Sequence, residues 1–289
     1  MCPANLAKLD TIPMLISRPP QAALRPFLKS LWISNERTSP GGSGRELVLP
    51  TGGMHLVFRL DHPLHLYDGL DDRRGRTVGH AVVGGARAAF YTRDISRPTR
   101  SVGAQLHPGA AELLLGVPAG ELAQRHTPLG DLWGSAAGEV HQRLLEAEQP
   151  QRQLDLFESV LGARLPRVRG VHPAVAHALS RFAVTSDIGE IVNQCGCSHR
   201  RFIALFHHAV GLTPKPYCRV LRFQDALGRV AAMPAASRAQ SACAAGYSDQ
   251  PHFNREFREF AGLSPGEYRK LSPAQAHHVP LPGAVEKQR

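Results

Sequence analysis

From residue 46 onward, short runs of alternating apolar and polar residues predict β-strands. Gly, Pro and Asp residues separate six such runs, which cover 47–49, 54–60, 65–67, 77–83, 88–92 and 101–106. Runs of this length, bounded by turn residues, are typical of an antiparallel sheet or a small barrel. The first 45 residues are less regular, with an apolar stretch over 22–33 followed by a loop rich in Gly, Ser and Pro.

After residue 109 the apolar positions recur at helical spacing. Segments 110–115, 118–126, 135–148, 151–165 and 172–183 are each predicted to form helices. The pattern as a whole predicts the α+β class. An N-terminal β-rich domain with trailing helices is expected over 1–165, a linker over 166–171, an all-α domain over 172–273 and a flexible tail over 274–289.

The all-α region contains one pattern twice. Five pairs of identical residues are separated by the same 51 positions, namely Phe202/Phe253, Phe206/Phe257, Gly211/Gly262, Pro214/Pro265 and Tyr217/Tyr268. Five coincidences at one spacing indicate an internal duplication.

Each copy has the signals of a helix-turn-helix. Ser198 and Asp249 are N-cap residues at the start of an apolar run. The two Phe residues of each copy lie at i and i+4, so they share a helix face, and Gly followed by Pro ends the helix. The copies therefore predict two helix-turn-helix units, at about 187–210 and 237–261, joined by a long helix over 217–232.

Charge narrows the choice of partner. The 289-residue chain has a formal net charge of +10, which favours an anionic partner such as nucleic acid or a membrane surface. No run approaches the roughly 18 apolar residues of a membrane span, and the first residues lack the pattern of a signal peptide. Five cysteines are few and odd in number, which is typical of reduced thiols. We therefore expect a cytoplasmic protein without a membrane partner.

Double-stranded DNA is the partner that the duplicated unit predicts, because one helix of each unit fits a major groove. With the Phe faces turned into the core, the residues expected to contact bases are Arg200, Ile203, Ala204 and His207 on the first recognition helix and Gln250, Pro251, Asn254 and Arg255 on the second. Arg suits guanine, and Gln or Asn suits adenine. The residues expected to contact phosphates, which position the protein without specifying sequence, are Arg201, Lys215, Arg219, Arg258 and Lys270.

The second copy carries a motif specific enough to indicate a family. It reads Gly246-Tyr247-Ser248-Asp249-Gln250-Pro251-His252-Phe253-Asn254-Arg255-Glu256-Phe257-Arg258, followed by Gly262-Leu263-Ser264-Pro265-Gly266-Glu267-Tyr268-Arg269. In these residues the region from about 172 to 271 resembles the DNA-binding domain of the AraC/XylS family of transcription regulators. The resemblance implies seven helices, recognition helices in successive major grooves, and RNA polymerase as a partner. It also implies base reading by Arg200, Ile203, Ala204, Gln250, Pro251, Asn254 and Arg255.

The N-terminal region resembles an uncharacterised sensor-type domain that precedes the DNA-binding domain in some members of this family. Segments 49–58, 83–85, 107–109, 115–118 and 129–133 carry the resemblance, which implies effector binding or dimerisation. A small-molecule effector is expected inside the sheet domain. The candidates, chosen as polar or aromatic groups in or beside strands, are His55, Phe58, Tyr91, Arg93 and His107. A homodimer is left open, with the helices between 110 and 165 as its expected surface.

No catalytic residue, cofactor or metal is predicted. The cluster Cys195-Gly196-Cys197-Ser198-His199 has the composition of a metal site, but its spacing is tight and it lies in a turn. No phosphate loop, hydrolase elbow or zinc-protease helix motif is found. An alternative is an enzymatic or metal-binding N-terminal domain fused to a DNA-targeting domain, which a perturbed His/carboxylate pair in a pocket would favour. A purely architectural DNA-binding protein is a third reading, which a solid N-terminal core would favour.

Overall fold

Two antiparallel sheets build the N-terminal domain in a computed structural model that describes residues 14–36, 42–165, 170–182, 184–232 and 247–283. Their strands are β1 Met14–Arg18, β2 Leu28–Glu36, β3 Gly42–Val48, β4 Met54–Arg59, β5 Leu64–Tyr67, β6 Arg76–Gly79, β7 Ala81–Gly84, β8 Tyr91–Asp94, β9 Thr99–Leu106, β10 His126–Pro128 and β11 His278–Pro282. The first sheet has the order β1-β2-β9-β4-β7-β10, and the second has the order β11-β3-β8-β5-β6. The α+β class is confirmed.

Side chains alternate between the two faces of the first sheet along β4, and both faces pack against other elements. Met54, Leu56 and Phe58 are buried on one face, while His55 and Val57 point to the other. On the first face, the ring of Phe58 meets Phe157 edge-on, with 5.4 Å between the ring centroids. Helices therefore cover one face of this sheet, and the other face looks towards the second sheet.

The described helices of the N-terminal domain come after β9 in the chain, and the short strand β10 lies between the second and the third of them. They are α1 Ala111–Leu115, α2 Ala119–Leu122, α3 Gly130–Trp133, α4 Ser135–Glu146 and α5 Pro150–Arg164. Segment 118–126 was predicted to be one helix, which is wrong. Its helix ends at Leu122, and His126 begins a strand that pairs with β7. The apolar stretch 22–33 contains most of another strand that the sequence did not predict, β2.

The C-terminal domain is helical, as predicted. Its described helices are α6 Pro173–Phe182, α7 Ile188–Gln194, α8 His199–Val210, α9 Pro214–Ala232, α10 Gln250–Ala261 and α11 Pro265–Leu271. Both predicted N-caps are confirmed. The side chain of Ser198 accepts a hydrogen bond from the amide of Arg201, and that of Asp249 accepts one from the amide of His252. None of the described helices is long and apolar enough to cross a membrane.

Parts of the predicted domain layout lie outside the described residues. These parts are most of the linker, 166–169, and the first helix of the second helix-turn-helix, which was placed between 237 and 246. The first helix-turn-helix is described in full as α7, a turn at 195–198 and α8. The long helix between the two units is α9, which begins at Pro214.

The flexible tail predicted over 274–289 is wrong for its first ten residues. Residues 278–282 form β11, which pairs antiparallel with β3 at the edge of the second sheet. Val279 pairs with Leu47 and is fully buried, and the hydroxyl of Tyr268 donates a hydrogen bond to the carbonyl of Ala276 at 2.9 Å. Without β11, strand β3 would be an edge strand with unpaired backbone groups. Residues 278–282 pair with these groups, although their composition alone does not predict a strand. Residues 284–289 lie outside the described part.

The two domains are in direct contact. Helix α8 packs against α1 and α2, and His208 on α8 bonds Glu112 on α1 with 3.1 Å between Nε2 and Oε2. Gln224, on α9, donates its side-chain amide to the carbonyl of Pro50 and lies 2.5 Å from Nε2 of His277 through its Oε1. Helix α9 is therefore hydrogen-bonded both to the β3–β4 loop and to the segment that leads into β11.

Glu256 is a buried carboxylate on α10 that joins this helix to α9 through ion pairs, and its replacement tests how much they stabilise the helical domain. It is 3% exposed and receives Nε of Arg219 at 2.9 Å and Nη2 of Arg222 at 2.8 Å. Glu256→Gln removes the negative charge that both guanidinium groups share. We expect it to lower the free energy of unfolding by about 2–3 kcal/mol, below the full cost of breaking a buried ion pair because both arginines keep some contact with water.

Urea denaturation followed by circular dichroism measures this loss. Glu259→Gln is the matched control, because Glu259 is exposed and bonds only Arg219 among the residues described. We expect a change of less than about 1 kcal/mol for the control. Equal losses in the two variants would contradict the role given to Glu256.

Candidate functional site

The first recognition helix, α8, presents its N-terminal half to solvent. Phe202 and Phe206 are buried as predicted, while Arg200 and Ala204 are exposed and Ile203 is half-buried. These three residues keep a position from which a base edge could be reached. Base contact itself stays a prediction.

His207 was expected on the same face, but the structure places it against the N-terminal domain. A methyl group added to Gly120, on α2, would lie 2.9 Å from Nδ1 of His207. The imidazole therefore occupies the domain interface in this conformation. The prediction of a base contact by His207 does not fit this structure, because helical spacing locates a face without revealing which neighbour covers it.

The second recognition helix, α10, has the arrangement that the sequence predicts. Gln250, Pro251, Asn254 and Arg255 are all exposed. The opposite face of α10 holds Phe253, Phe257 and Phe260 in the core. The predicted base-reading positions of α10 therefore lie together on one solvent-facing side.

Among the residues predicted to contact phosphates, Arg201, Lys215, Arg258 and Lys270 are exposed. Arg219 differs, because its guanidinium is shared by two carboxylates. Its Nη2 lies 2.5 Å from Glu259, in addition to the bond to Glu256, and hydrogen bonds to these carboxylates raise the pKa of Arg219. The prediction of a phosphate contact by Arg219 is thus wrong for this conformation, and its side chain stabilises the joint between α9 and α10.

A cavity of about 320 Å³ lies between the two sheets of the N-terminal domain. The first sheet contributes residues such as Trp32, His55 and Val57, and the second contributes Val48, Tyr91 and Arg93. Segment 275–278, which leads into β11, closes the cavity with Gln275, His277 and His278. A residue stretch beyond the DNA-binding domain therefore forms part of its wall.

Three of the five predicted effector residues line this cavity, namely His55, Tyr91 and Arg93. Phe58 does not, because it is three positions from His55 on one strand and so points to the opposite face, into the helix-covered core. His107 follows the end of β9, where its amide donates to the carbonyl of Phe27, and it lies outside the cavity lining. The predictions for Phe58 and His107 are wrong.

Trp32 is a cavity residue that the sequence did not predict. Trp32 on β2 pairs with Gly103 on β9, and a methyl group added to Gly103 would lie 2.2 Å from the indole. The ring therefore lies over a position where the neighbouring strand has no side chain. Had β2 been predicted as a strand, period-2 alternation would have placed Trp32 on the same face as Ser30 and Ser34.

The polar groups of the cavity have one sign of charge. The described lining residues include three arginines and four histidines but no Asp or Glu. Nε of Arg87 and Nδ1 of His126 are buried without a hydrogen-bond partner among the described residues. Burial, with the charge of Arg87 nearby, lowers the pKa of His126 to about 3, so this imidazole is neutral at pH 7. Burial likewise lowers the pKa of His55 and of His277 to about 4.

Behind the lining, one carboxylate neutralises one of these arginines. Glu46 on β3 accepts a hydrogen bond from Nε of Arg93 at 2.6 Å and lies 3.1 Å from Nδ1 of His278. Burial raises the pKa of Glu46, but Arg93 and His278 lower it further, to about 2. Glu46 does not itself line the cavity, and at pH 7 it is the ionised partner of Arg93.

The described cysteines are free thiols. Cys195 caps the end of α7, and its Sγ lies 3.6 Å from the carbonyl of Ala174. Among the described residues, no group of three or more His, Cys, Asp or Glu side chains is arranged to hold a metal ion.

Two family matches cover separate parts of the chain. Residues 191–271 match a helix-turn-helix domain, and residues 17–128 match a domain of unknown function, DUF6597. No curated protein matches the sequence. The first match coincides with α7 to α11, the helices that carry the exposed residues described above.

Solved structures of ToxT from Vibrio cholerae show a distant likeness in fold. One covers 85% of this chain and 99% of its own, with 10% identity and a TM-score of 0.46. Another, of ToxT bound to an unsaturated fatty acid, covers 84% of this chain and 94% of its own, with 11% identity and a TM-score of 0.44.

The described residues contain one complete helix-turn-helix and a second capped helix with exposed arginines, and the domain match agrees with a DNA-binding role. The chain is a DNA-binding transcription regulator. The matched domain agrees with the C-terminal motif, and both assign residues 191–271 to a helix-turn-helix domain of the AraC type.

The buried histidines predict how stability depends on pH. The folded-state pKa values of His55, His126 and His277 lie below the value of about 6.5 expected in the unfolded chain. The unfolded state therefore binds more protons below pH 6.5, so stability is fully present above that pH and falls as the pH drops towards 4. Each histidine contributes a slope of up to about 1.4 kcal/mol per pH unit.

Thermal unfolding between pH 7.5 and about 5.5 measures the slope, because the loss of stability from Glu46 begins only near its unfolded-state pKa of 4.5. We expect His126→Gln to flatten the profile. His199→Gln is the control, because His199 is exposed on α8. An unchanged slope in the first variant would show that His126 is protonated in the folded protein.

Proposed function

We propose that the protein reads double-stranded DNA with α8 and α10 in successive major grooves, and that a small molecule in the cavity modulates this binding. The observation that supports it is the matched exposure of the two helices. Each buries a Phe face and presents its N-terminal residues to solvent, where a recognition helix meets base edges. The basic residues beside them supply electrostatic capture that does not depend on sequence.

The chemistry of the cavity supports a ligand with an apolar body and an acidic group. Trp32, Val57 and Leu64 offer apolar surface, and the volume suits a compact organic molecule. Arg87 brings positive charge to the cavity wall and lies over the ring of Tyr91, which meets the ring of His126 edge-on with 4.4 Å between the centroids. A carboxylate would satisfy the guanidinium without a competing acidic side chain.

Three further parts of the proposal rest on the family and on composition. Regulation would require contact with RNA polymerase, and DNA binding would take place in the cytoplasm. Self-association is proposed through the N-terminal domain. Selection of bound duplexes from a random pool by the full-length protein, at about 0.15 M salt, tests the DNA-binding part. Enrichment of two short blocks about one helical turn apart is the expected result.

Arg255 tests base reading on α10. We expect Arg255→Ala to weaken binding to the selected site by about 1–3 kcal/mol, because a guanidinium bonded to a base edge is lost. Binding to unrelated duplex should change less. Fluorescence anisotropy on both duplexes measures the two effects.

Lys270→Ala is the matched control for a phosphate contact. It should weaken binding on both duplexes alike and reduce the salt dependence by about one unit of slope. An equal loss on both duplexes for Arg255→Ala would mean that Arg255 contacts only phosphate.

Arg87 tests the ligand class. We expect small aromatic and aliphatic acids to raise the melting temperature of the full-length protein, and their neutral amides to have little effect. At a hundred times its dissociation constant, a ligand stabilises the folded state by about 2.7 kcal/mol. Arg87→Gln should abolish the effect of the acids. Arg97→Gln is the control, since Arg97 is exposed and outside the cavity. Equal responses to acid and amide would contradict an acidic ligand.

A further inference from the structure

Segment 84–91 faces the cavity and the DNA-binding domain at once. Gly85, Arg87 and Tyr91 line the cavity. Ala86 and Phe90, between them in sequence, contact the C-terminal domain instead. The segment joins β7 to β8, and therefore connects the two sheets that enclose the cavity.

The first contact is with the end of α8. Gly211 is the left-handed residue that ends this helix, with φ 86°. A methyl group on Gly211 would lie 3.1 Å from Cβ of Ala86 and 3.0 Å from the carbonyl oxygen of Ala119. The backbone of the helix end therefore rests directly on segment 84–91 and on α2.

The second contact is with the end of α10. Gly262 ends this helix with φ 70°. A methyl group on Gly262 would lie 2.8 Å from Cζ of Phe90, so the phenyl ring is pressed against the glycine backbone. Gly211 and Gly262 occupy the same position in the two sequence repeats, 51 residues apart.

One eight-residue segment thus touches the equivalent ends of both recognition helices, opposite the ends proposed to read DNA. We infer that segment 84–91 sets the orientation of the two recognition helices relative to each other and carries the state of the cavity to them. Ala86 and Phe90 are its positioning residues. The inference rests on the proposed function and adds the route by which the cavity acts on DNA reading.

Hydrogen bonds hold the segment to the loop after α2. The amide of Gly85 donates to the carbonyl of Arg125 and the carbonyl of Ala86 accepts from the amide of Gln124, each at 2.9 Å. Nη2 of Arg87 donates to the carbonyl of Gln124 at 2.7 Å. A ligand that binds Arg87 therefore acts on a side chain that already anchors the segment, and Ala86 is the preceding residue in the chain.

A first experiment needs no ligand. Amide hydrogen exchange of the full-length protein is followed at Gly211 and Gly262, whose amides donate to the carbonyls of His207 and Arg258. Arg87→Ala removes a cavity-lining side chain and its bond to Gln124 but leaves Ala86 and Phe90 in place, and we expect roughly tenfold faster exchange at both glycines. Arg97→Ala is the matched control, because Arg97 is exposed and lies outside the cavity lining, and it should leave both glycines unchanged. No change in Arg87→Ala, or the same change in the control, overturns the inference.

A second experiment reads DNA. The selected two-block site is varied in spacing by one base pair, and affinities are measured for the wild type and for Phe90→Ala. We expect the wild type to bind one spacing more tightly than spacings that differ by one base pair. In Phe90→Ala this ratio of affinities should fall roughly tenfold, while the affinity for a single block is unchanged. Phe90→Leu should restore part of the preference, and Ala89→Ser, at an exposed neighbouring position, should behave as wild type.

The outcomes separate the two proposals. An unchanged spacing preference in Phe90→Ala overturns the positioning role while leaving the proposed function intact. A wild type that binds no two-block site at all contradicts the proposed function, and the exchange experiment then still decides whether cavity and helix ends are coupled.

Discussion

The use of both faces of the first sheet is the constraint on which the rest of the structure depends. Strand alternation sends Leu56 and Phe58 into a helix-covered core and leaves His55 and Val57 to face the second sheet. Because that second face is buried against the second sheet, the pKa values of His55 and His126 are lowered and the arginines beside it need partners. Arg93 has its partner in Glu46, whereas Nε of Arg87 has no hydrogen-bond partner among the residues that the structure describes. The cavity and its charge are thus consequences of how one sheet is buried.

Glycine at the end of each recognition helix has two functions in this fold. The left-handed conformation of Gly211 and Gly262 ends the helices, and it favours glycine on backbone grounds alone. The missing side chain also lets Ala86 and Phe90 approach the backbone closely. The same sequence signal that marks the repeat therefore marks the surface on which the N-terminal domain packs.

Local signals made the helical domain predictable. The caps at Ser198 and Asp249 and the paired Phe residues act within one or two helical turns, and the 51-residue repeat can be read directly from the sequence. The exposed faces followed from helical spacing, except where a distant element intervenes, as α2 does at His207 and Glu259 does at Arg219.

Prediction of the cavity residues required the register of the paired strands, which spacing along the sequence does not reveal. Trp32 lies over Gly103 only because β2 and β9 pair, and the choice of both His55 and Phe58 ignored the parity of one strand. Strand β11 was missed because its partner, β3, lies more than two hundred residues earlier in the chain. The segments that were predicted well are those whose stabilising contacts are near in sequence.

Strand β11 has a consequence for how the protein is made. The N-terminal domain emerges first from the ribosome, yet the edge strand of its second sheet and part of its cavity wall come from residues 275–282. Until those residues are synthesised, β3 has a bare edge of the kind that pairs with other chains. A chain interrupted between α11 and residue 275 would contain both recognition helices but lack one part of the cavity wall. Only a chain translated past residue 282 can therefore bind DNA with its sensing domain closed.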